Sequence, residues 1–213
     1  MFPVMGIMQR RQFLTQAMTF ATAMGAATIP FARSMASPSV PMPAGLTAGL
    51  LPLALGAFRH NDARVTERRV IGVADFSVHS ATPRFHLINV ENGQSEALLV
   101  AHGRGSDPDH SGMLQSFSNV PGSESTSSGA YLVGESYIGK YGLSRRLIGL
   151  DPENDMAEPR AIVIHPAWYV SQSMIAEHGR LGRSQGCFAF ADSDIAKVLW
   201  QCPPGSLIYA AKA

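Results

Sequence analysis

The chain has 213 residues, 46% of them hydrophobic and 15% charged, with a formal net charge of +1. That suits one globular domain with a sizeable core plus a short appendage. A near-neutral balance excludes the long basic face of a nucleic-acid binder, and the lack of about eighteen consecutive strongly apolar residues excludes a stable membrane span.

Near the N-terminus, Arg10-Arg11-Gln12-Phe13-Leu14 has the pattern of a twin-arginine export signal. A stretch rich in Ala, Thr and Gly follows over residues 17–31. Ser34-Met35-Ala36 then places small residues where a signal peptidase cuts. Residues 1–36 are therefore expected to be a signal peptide, with the twin-arginine export machinery and signal peptidase as its partners. The mature protein is expected to be exported, periplasmic or in the cell envelope. Residues 37–44 are Pro-rich and read as an extended linker. Residues 44–58 are apolar, with Pro52 in their middle, and predict one short helix or two half-turns packed on the domain. Residues 37–60 are thus expected to be a linker and apolar helix ahead of the main domain over 61–213.

The 20 Gly and 14 Pro separate runs rich in Val, Ile, Tyr and Phe, which predicts a mostly β architecture. Residues 69–77 are strand-like. Residues 84–90 alternate, with Phe85, Leu87 and Asn89 on one side and His86, Ile88 and Val90 on the other. Asn92-Gly93 signals a hairpin turn, and residues 95–101 return as its partner. These three strands predict an antiparallel sheet. Residues 103–129 are a loop long enough to be functional. His102, Asp107, Asp109 and His110 are all metal-ligand types, but their spacing matches no defined zinc or calcium pattern. Neither a metal nor a cofactor is expected. Strands follow over 129–134, 143–150 and 160–165. Residues 171–178 predict a helix, with Ser171 as N-cap and Gly179 as its stop. A last helix, capped by Asp192 or Ser193, carries Ile195, Val198, Leu199 and Cys202 at core spacing. Residues 206–210 are a closing strand.

The chemistry concentrates in two places. Ile162-Val163-Ile164 delivers His165 at a strand end, and Ser184-Gln185-Gly186-Cys187 presents a cysteine in a turn. A thiol becomes nucleophilic beside a base or a cation, so His165 and Cys187 are the candidate catalytic pair. His178 is the rival base, but a cation in the last turn of a helix already has a structural reason to be there. Gly186 lets backbone approach a reacting carbonyl, and N–H groups near Gly186 and Cys187 are candidates to hold an oxyanion. Ser184 either fastens the turn or bonds the histidine. A competing reading pairs Cys187 with Cys202 in a disulfide, which would silence Cys187. Cys202 otherwise reads as a small buried hydrophobe.

Several short runs carry a family resemblance. They are Val100-Ala101-His102-Gly103, Phe117-Ser118-Asn119, Ser127-Ser128-Gly129, Gly139-Lys140-Tyr141-Gly142, Arg160 to His165, Tyr169-Val170-Ser171 and Gly179 to Cys187. Together they resemble the L,D-transpeptidase (YkuD-type) catalytic domain, in its murein L,D-transpeptidase subfamily, over roughly residues 70–210. The resemblance implies a YkuD-like β-sandwich or curled barrel with a few short helices. It also implies that a Cys187 acyl-enzyme forms on peptidoglycan stem peptides, with His165 as base and D-alanine as leaving group. A second amine then gives transpeptidation, whereas water gives carboxypeptidation. A hydrolase of another wall-linked amide and a non-catalytic wall-binding module remain as alternatives. Gly129, Tyr131, Tyr169 and His102 are expected near substrate, with Tyr131 equally readable as a half-buried strand aromatic. Two positions depart from the broad family: Ala189 stands where Arg or Asn is frequent, and Pro166 follows the histidine in place of glycine. Arg183 is the candidate to supply the missing carboxylate contact.

Overall fold

Pro52 lies in the first turn of the first helix, α1 (Leu50–His60). There its missing N–H removes no intrahelical bond. The helix starts at Leu50 with Gly49 as its N-cap, later than residue 44, and the proline does not split it. The protein is described as a computed structural model over residues 40–213. The export signal expected over residues 1–36 lies outside the described residues. Leu50, Leu51 and Ala54 on α1 are buried in one cluster with Ile71, Val73, Ile88, Ala130 and Leu207, so α1 is built into the domain.

Eight strands follow: β1 (Val70–Asp75), β2 (Phe85–Asn89), β3 (Ser95–Leu98), β4 (Gly129–Gly139), β5 (Gly142–Gly149), β6 (Val163–Pro166), β7 (Phe188–Phe190) and β8 (Leu207–Ala211). Two more short helices, α2 (Gln172–His178) and α3 (Ile195–Gln201), flank β7 in sequence. All the strands belong to one sheet in the order β3-β2-β1-β8-β4-β5-β6-β7. The early strands β1, β2 and β3 are antiparallel neighbours, as their hairpin signal predicts. The β1–β8 and β6–β7 pairs are parallel, so the sheet is mixed.

The sheet is a single curl rather than two stacked sheets. Beyond β3, the Ala101 N–H donates to the Ala189 carbonyl at 2.9 Å. This isolated bridge brings the two ends of the sheet together without a continuous ladder, so the barrel is not closed. The alternation in β2 sorts as read: Phe85 and Leu87 join the main core, and Ile88 and Val90 face the α1 side. The main core also holds Phe76, Tyr131, Leu147, Ile164, Phe188, Phe190 and the inner face of α3. A third cluster, on the other side of β7, gathers Leu99, Ala101, Ala167, Val170, Leu181, Ala189 and Ala191, with Ile175 of α2 against it.

The helix ends are set by local chemistry. Ser171 Oγ accepts the Met174 N–H at 3.3 Å, and Gly179 stops α2 at φ 69°. The cap of α3 is Asp194 rather than Asp192 or Ser193. Arg145 on β5 donates to the carbonyls of Leu199 and Cys202 at 2.5 and 2.6 Å, closing the other end of α3. The β4–β5 hairpin is longer than the sequence predicts. Its outer half is solvated and interrupted by a register shift between Val133 and Ser136, which masks the alternation.

Candidate active site

Strands β6 and β7 run parallel, with Ile164 opposite Phe188 and His165 opposite Ala189. Ile164 and Phe188 enter the main core. Alternation then turns His165, Ala189 and the preceding Cys187 toward the other face. His165 and Cys187 are thus one diagonal step apart on neighbouring strands. His178, by contrast, is on the exposed side of α2, 3.6 Å from Glu177.

The turn before Cys187 is fastened at every residue. Ser184 Oγ donates to the Cys187 carbonyl at 2.7 Å and accepts the Gly186 N–H at 3.1 Å. Ser184 therefore holds the turn and does not bond the histidine. Its N–H donates to the His102 carbonyl at 2.9 Å, and its carbonyl accepts the Arg104 N–H at 2.8 Å. Gly186 has φ 111°, and a Cβ there would meet the Ser125 carbonyl oxygen at 2.7 Å and Ile162 Cδ1 at 2.9 Å. Only glycine fits this conformation in this space. Because the Gly186 N–H is engaged by Ser184, it is not free to hold an oxyanion.

Cys187 is partly exposed and Cys202 is buried, and both are free thiols, so the alternative disulfide does not form. Burial pushes the Cys202 thiol up to about 12. The Cys187 thiol donates to the Ala161 carbonyl at 3.6 Å. Burial raises its pKa, while the Val163 N–H and the Arg160 and Lys140 cations pull it back down. Burial lowers the pKa of His165, opposed by its bond to Pro166. His165 Nδ1 lies 2.8 Å from the Pro166 carbonyl and so carries the proton toward it, leaving Nε2 as the lone-pair nitrogen. Both shifts favour the uncharged forms, thiol and imidazole.

The tip of the β4–β5 hairpin reaches this face. Tyr141 stacks on His165 at 4.8 Å and 22°, and Lys140 Nζ lies 4.7 Å from the centre of the Tyr141 ring. Tyr169, after β6, also stands near the thiol, whose charge together with burial raises its hydroxyl pKa. Lys140, Tyr141 and Arg160 lie in runs that carry the family resemblance, but the sequence reading gave none of them a role at the site. The signal available was the Gly139-Lys140-Tyr141-Gly142 turn, which marks a tight hairpin between the flanking strands.

The remaining candidates fall outside the open face. Tyr131 is fully buried, its hydroxyl donating to the Ser127 carbonyl at 2.7 Å and its ring edge-to-face with Phe188. It is a core residue and not a substrate contact. Gly129 has φ 107° and a Cβ there would meet Asp151 at 2.6 Å, so its role is to seat the start of β4. Arg183 Nη1 is held by the carbonyls of Asp107 and Pro108.

His102 is buried and part of a network the sequence conceals. Arg84, also fully buried, donates to the carbonyls of Val78 and Val100 at 2.8 and 3.1 Å and to His102 Nδ1 at 2.6 Å. An arginine only donates, so His102 Nδ1 accepts and Nε2 carries the proton toward Asp107 Oδ2 at 3.4 Å. Burial, then the Arg84 cation, push His102 down to about 3. Burial brings Arg84 itself down to about 9. Burial works to raise Asp107, but the N–H groups of Ser111 and Gly112 and the Ser111 hydroxyl hold it low. His102 thus supports the Ser184 turn from behind and does not reach substrate. Asp109 accepts from Gln115, and His110 Nε2 lies 2.9 Å from the Leu181 carbonyl. No group of three or more metal-ligating side chains occurs among the described residues. No helix among them is long and apolar enough to cross a membrane.

Residues 44–211 match the YkuD_2 family, described as the L,D-transpeptidase catalytic domain. The chain belongs to this family, and the match takes in α1 as well as the sheet. Among solved structures, an L,D-transpeptidase from Mycobacterium tuberculosis is 15% identical, covering 67% of this chain and 57% of its own, at a TM-score of 0.43. An L,D-transpeptidase from Mycobacterium smegmatis is 13% identical, covering 67% and 58%, at 0.40. The helical cell shape determining protein Pgp2 from Campylobacter jejuni is 15% identical, covering 70% and 48%, at 0.44. The chain therefore spans about half to three-fifths of the length of these proteins. No curated protein matches the chain.

Proposed function

We propose that this domain is a cysteine acyltransferase acting on peptidoglycan stem peptides, with Cys187 as nucleophile and His165 as base. The observation that carries the reading is the placement of a partly exposed thiol and a neutral imidazole on one face of adjacent parallel strands. The family match supplies the reaction class.

In this reading His165 Nε2 takes the thiol proton as the sulfur attacks the peptide carbonyl. The thioester forms, the C–N bond breaks, and the imidazolium returns its proton to the departing D-alanine amine. An acceptor amine then attacks the thioester, losing a proton through His165, and the free thiol is restored. Water in place of the amine gives carboxypeptidation. The Val163 N–H, which faces the sulfur, steadies the developing thiolate. Tyr141 and Tyr169 wall the cleft. The N-terminal export signal puts the mature protein in the envelope, where this substrate is found.

The test is mass spectrometry of a disaccharide-tetrapeptide incubated with mature protein under reducing conditions, beside Cys187→Ala. The expected result is cysteine-dependent loss of D-alanine with formation of a cross-linked dimer. Loss without dimer makes the domain a carboxypeptidase. No reaction by the wild-type protein overturns the substrate assignment, and muropeptide binding that survives in Cys187→Ala would then favour a wall-binding module.

A further inference from the structure

Arg160 lies in the turn segment just before β6, and its guanidinium reaches back to the loop over residues 118–125. Nη1 donates to the Ser118 carbonyl at 2.8 Å. Nη2 donates to the Ser125 carbonyl and lies 3.4 Å from Ser123 Oγ. All three acceptors are neutral, so they fix the fork without cancelling its charge. The same Nη2 lies 3.3 Å from the position a Cβ on Gly186 would take, directly before the nucleophile. The Ser125 carbonyl that tethers it also packs on Gly186. On the other side, the residue following Arg160 supplies the carbonyl that receives the Cys187 thiol. The cation is thus tethered to the wall that Ser125 and Gly186 form, and the next residue in its own chain supplies the carbonyl on the other side.

We propose that Arg160 is the positioning residue that makes Cys187 a usable nucleophile: a tethered cation that favours the thiolate at the moment His165 removes its proton. The inference rests on Cys187 being the nucleophile. A partly desolvated thiol resists ionisation, and an opposite charge close by offsets that resistance. Other groups face the sulfur as well. Lys140 on the hairpin tip is a second cation, and Tyr169 and Tyr141 border the site. Of the two cations, Arg160 alone is tied to the pocket wall by hydrogen bonds to its backbone. Lys140 rides on an exposed turn above an aromatic ring.

The test reads the thiol directly and needs no substrate, so a wrong substrate assignment leaves it intact. The pH dependence of iodoacetamide alkylation is measured on the wild type, Arg160→Gln, Arg160→Lys and Lys140→Gln, with Cys187→Ala as the blank for Cys202. Thermal melts are recorded alongside. The Gln variant keeps hydrogen-bonding capacity and loses the charge. Its thiol inflection is expected to rise by at least about one pH unit, which slows alkylation near neutral pH about tenfold. The Lys variant keeps the charge and loses the fork, so it melts lower while its inflection stays within about half a unit of wild type. Lys140→Gln is expected to move the inflection less than Arg160→Gln. An unchanged inflection in folded Arg160→Gln overturns the proposal. Should that variant not fold, a Lys variant whose inflection rises by a full unit overturns it, and one that stays put while melting lower supports it.

Discussion

The Cys187 thiol donates to the carbonyl of Ala161, a residue held at φ 54°. Ala161 is one of three non-glycine residues with positive φ among those described. Among the described residues the thiol's hydrogen bond goes to this carbonyl and not to His165. The left-handed turn at Ala161 aims its carbonyl at the sulfur, so local strain is placed where the proposed nucleophile rests. Ala161→Gly should hold the turn, with stability within about 1 kcal/mol of wild type. Ala161→Val should lose roughly 1–3 kcal/mol, because a β-branched side chain resists positive φ. Urea unfolding of both variants checks this, and equal stabilities would remove strain from the account of the site.

The proposed base, His165, makes a prediction about pH. A general base works only when unprotonated, so activity fails as pH falls through its pKa. Burial places that pKa below the usual imidazole value, and the acidic limb of kcat/KM should therefore fall below pH 6.5. His165→Gln should cost about 10²–10⁴ in kcat and abolish the limb. A limb of the same position in the Gln variant would assign it to another group.

Tyr131 offers a separation of stability from substrate binding. Its hydroxyl bonds the carbonyl and side chain of Ser127 inside the core. Tyr131→Phe leaves those groups unpaired, at a cost of about 1–3 kcal/mol. KM for a stem peptide should be unchanged, since no part of the ring is exposed. A selective rise in KM with unaltered melting would return Tyr131 to the cleft.

His102 should make the fold acid-sensitive. Its pKa drops from 6.5 to about 3 on folding, so the unfolded chain takes up a proton that the folded chain refuses. Its neutral form therefore favours folding fully above about pH 6.5, and that contribution is lost as pH falls toward 3. The slope is at most about 1.4 kcal/mol per pH unit from this group. Denaturant unfolding across that window should show a shallower pH dependence in His102→Gln than in wild type, and identical slopes would contradict the assignment.

Much of this was legible in sequence because it depends on short-range chemistry. Ser171 and Gly179 bracket a helix whatever surrounds it, and Asn92-Gly93 turns a hairpin by its own conformational preference. The Cys187 turn and His165 strand end were visible for the same reason. What was hidden depends on distant partners. Strand β7 is three residues long and is a strand only because β6 and Ala101 lie beside it. Arg84 looks like a strand's solvated first residue, yet carbonyls from residues 78 and 100 and the ring of His102 bury it. Tyr131 is fixed in the core by Phe188, which a reading of its own strand cannot supply.

The unfinished closure of the sheet has a consequence for the cleft itself. Among the described residues two isolated bridges join its ends near β7, one between Ala101 and Ala189 and one between Gly103 and Ser184. Cys187 sits in the interval between them. A few more rungs across that seam would zip the barrel shut over the sulfur, and fewer would leave two raw edges open to stray strands. The gap beside Cys187 is in this sense an arrested join, left open at the sulfur and too short to act as a free edge.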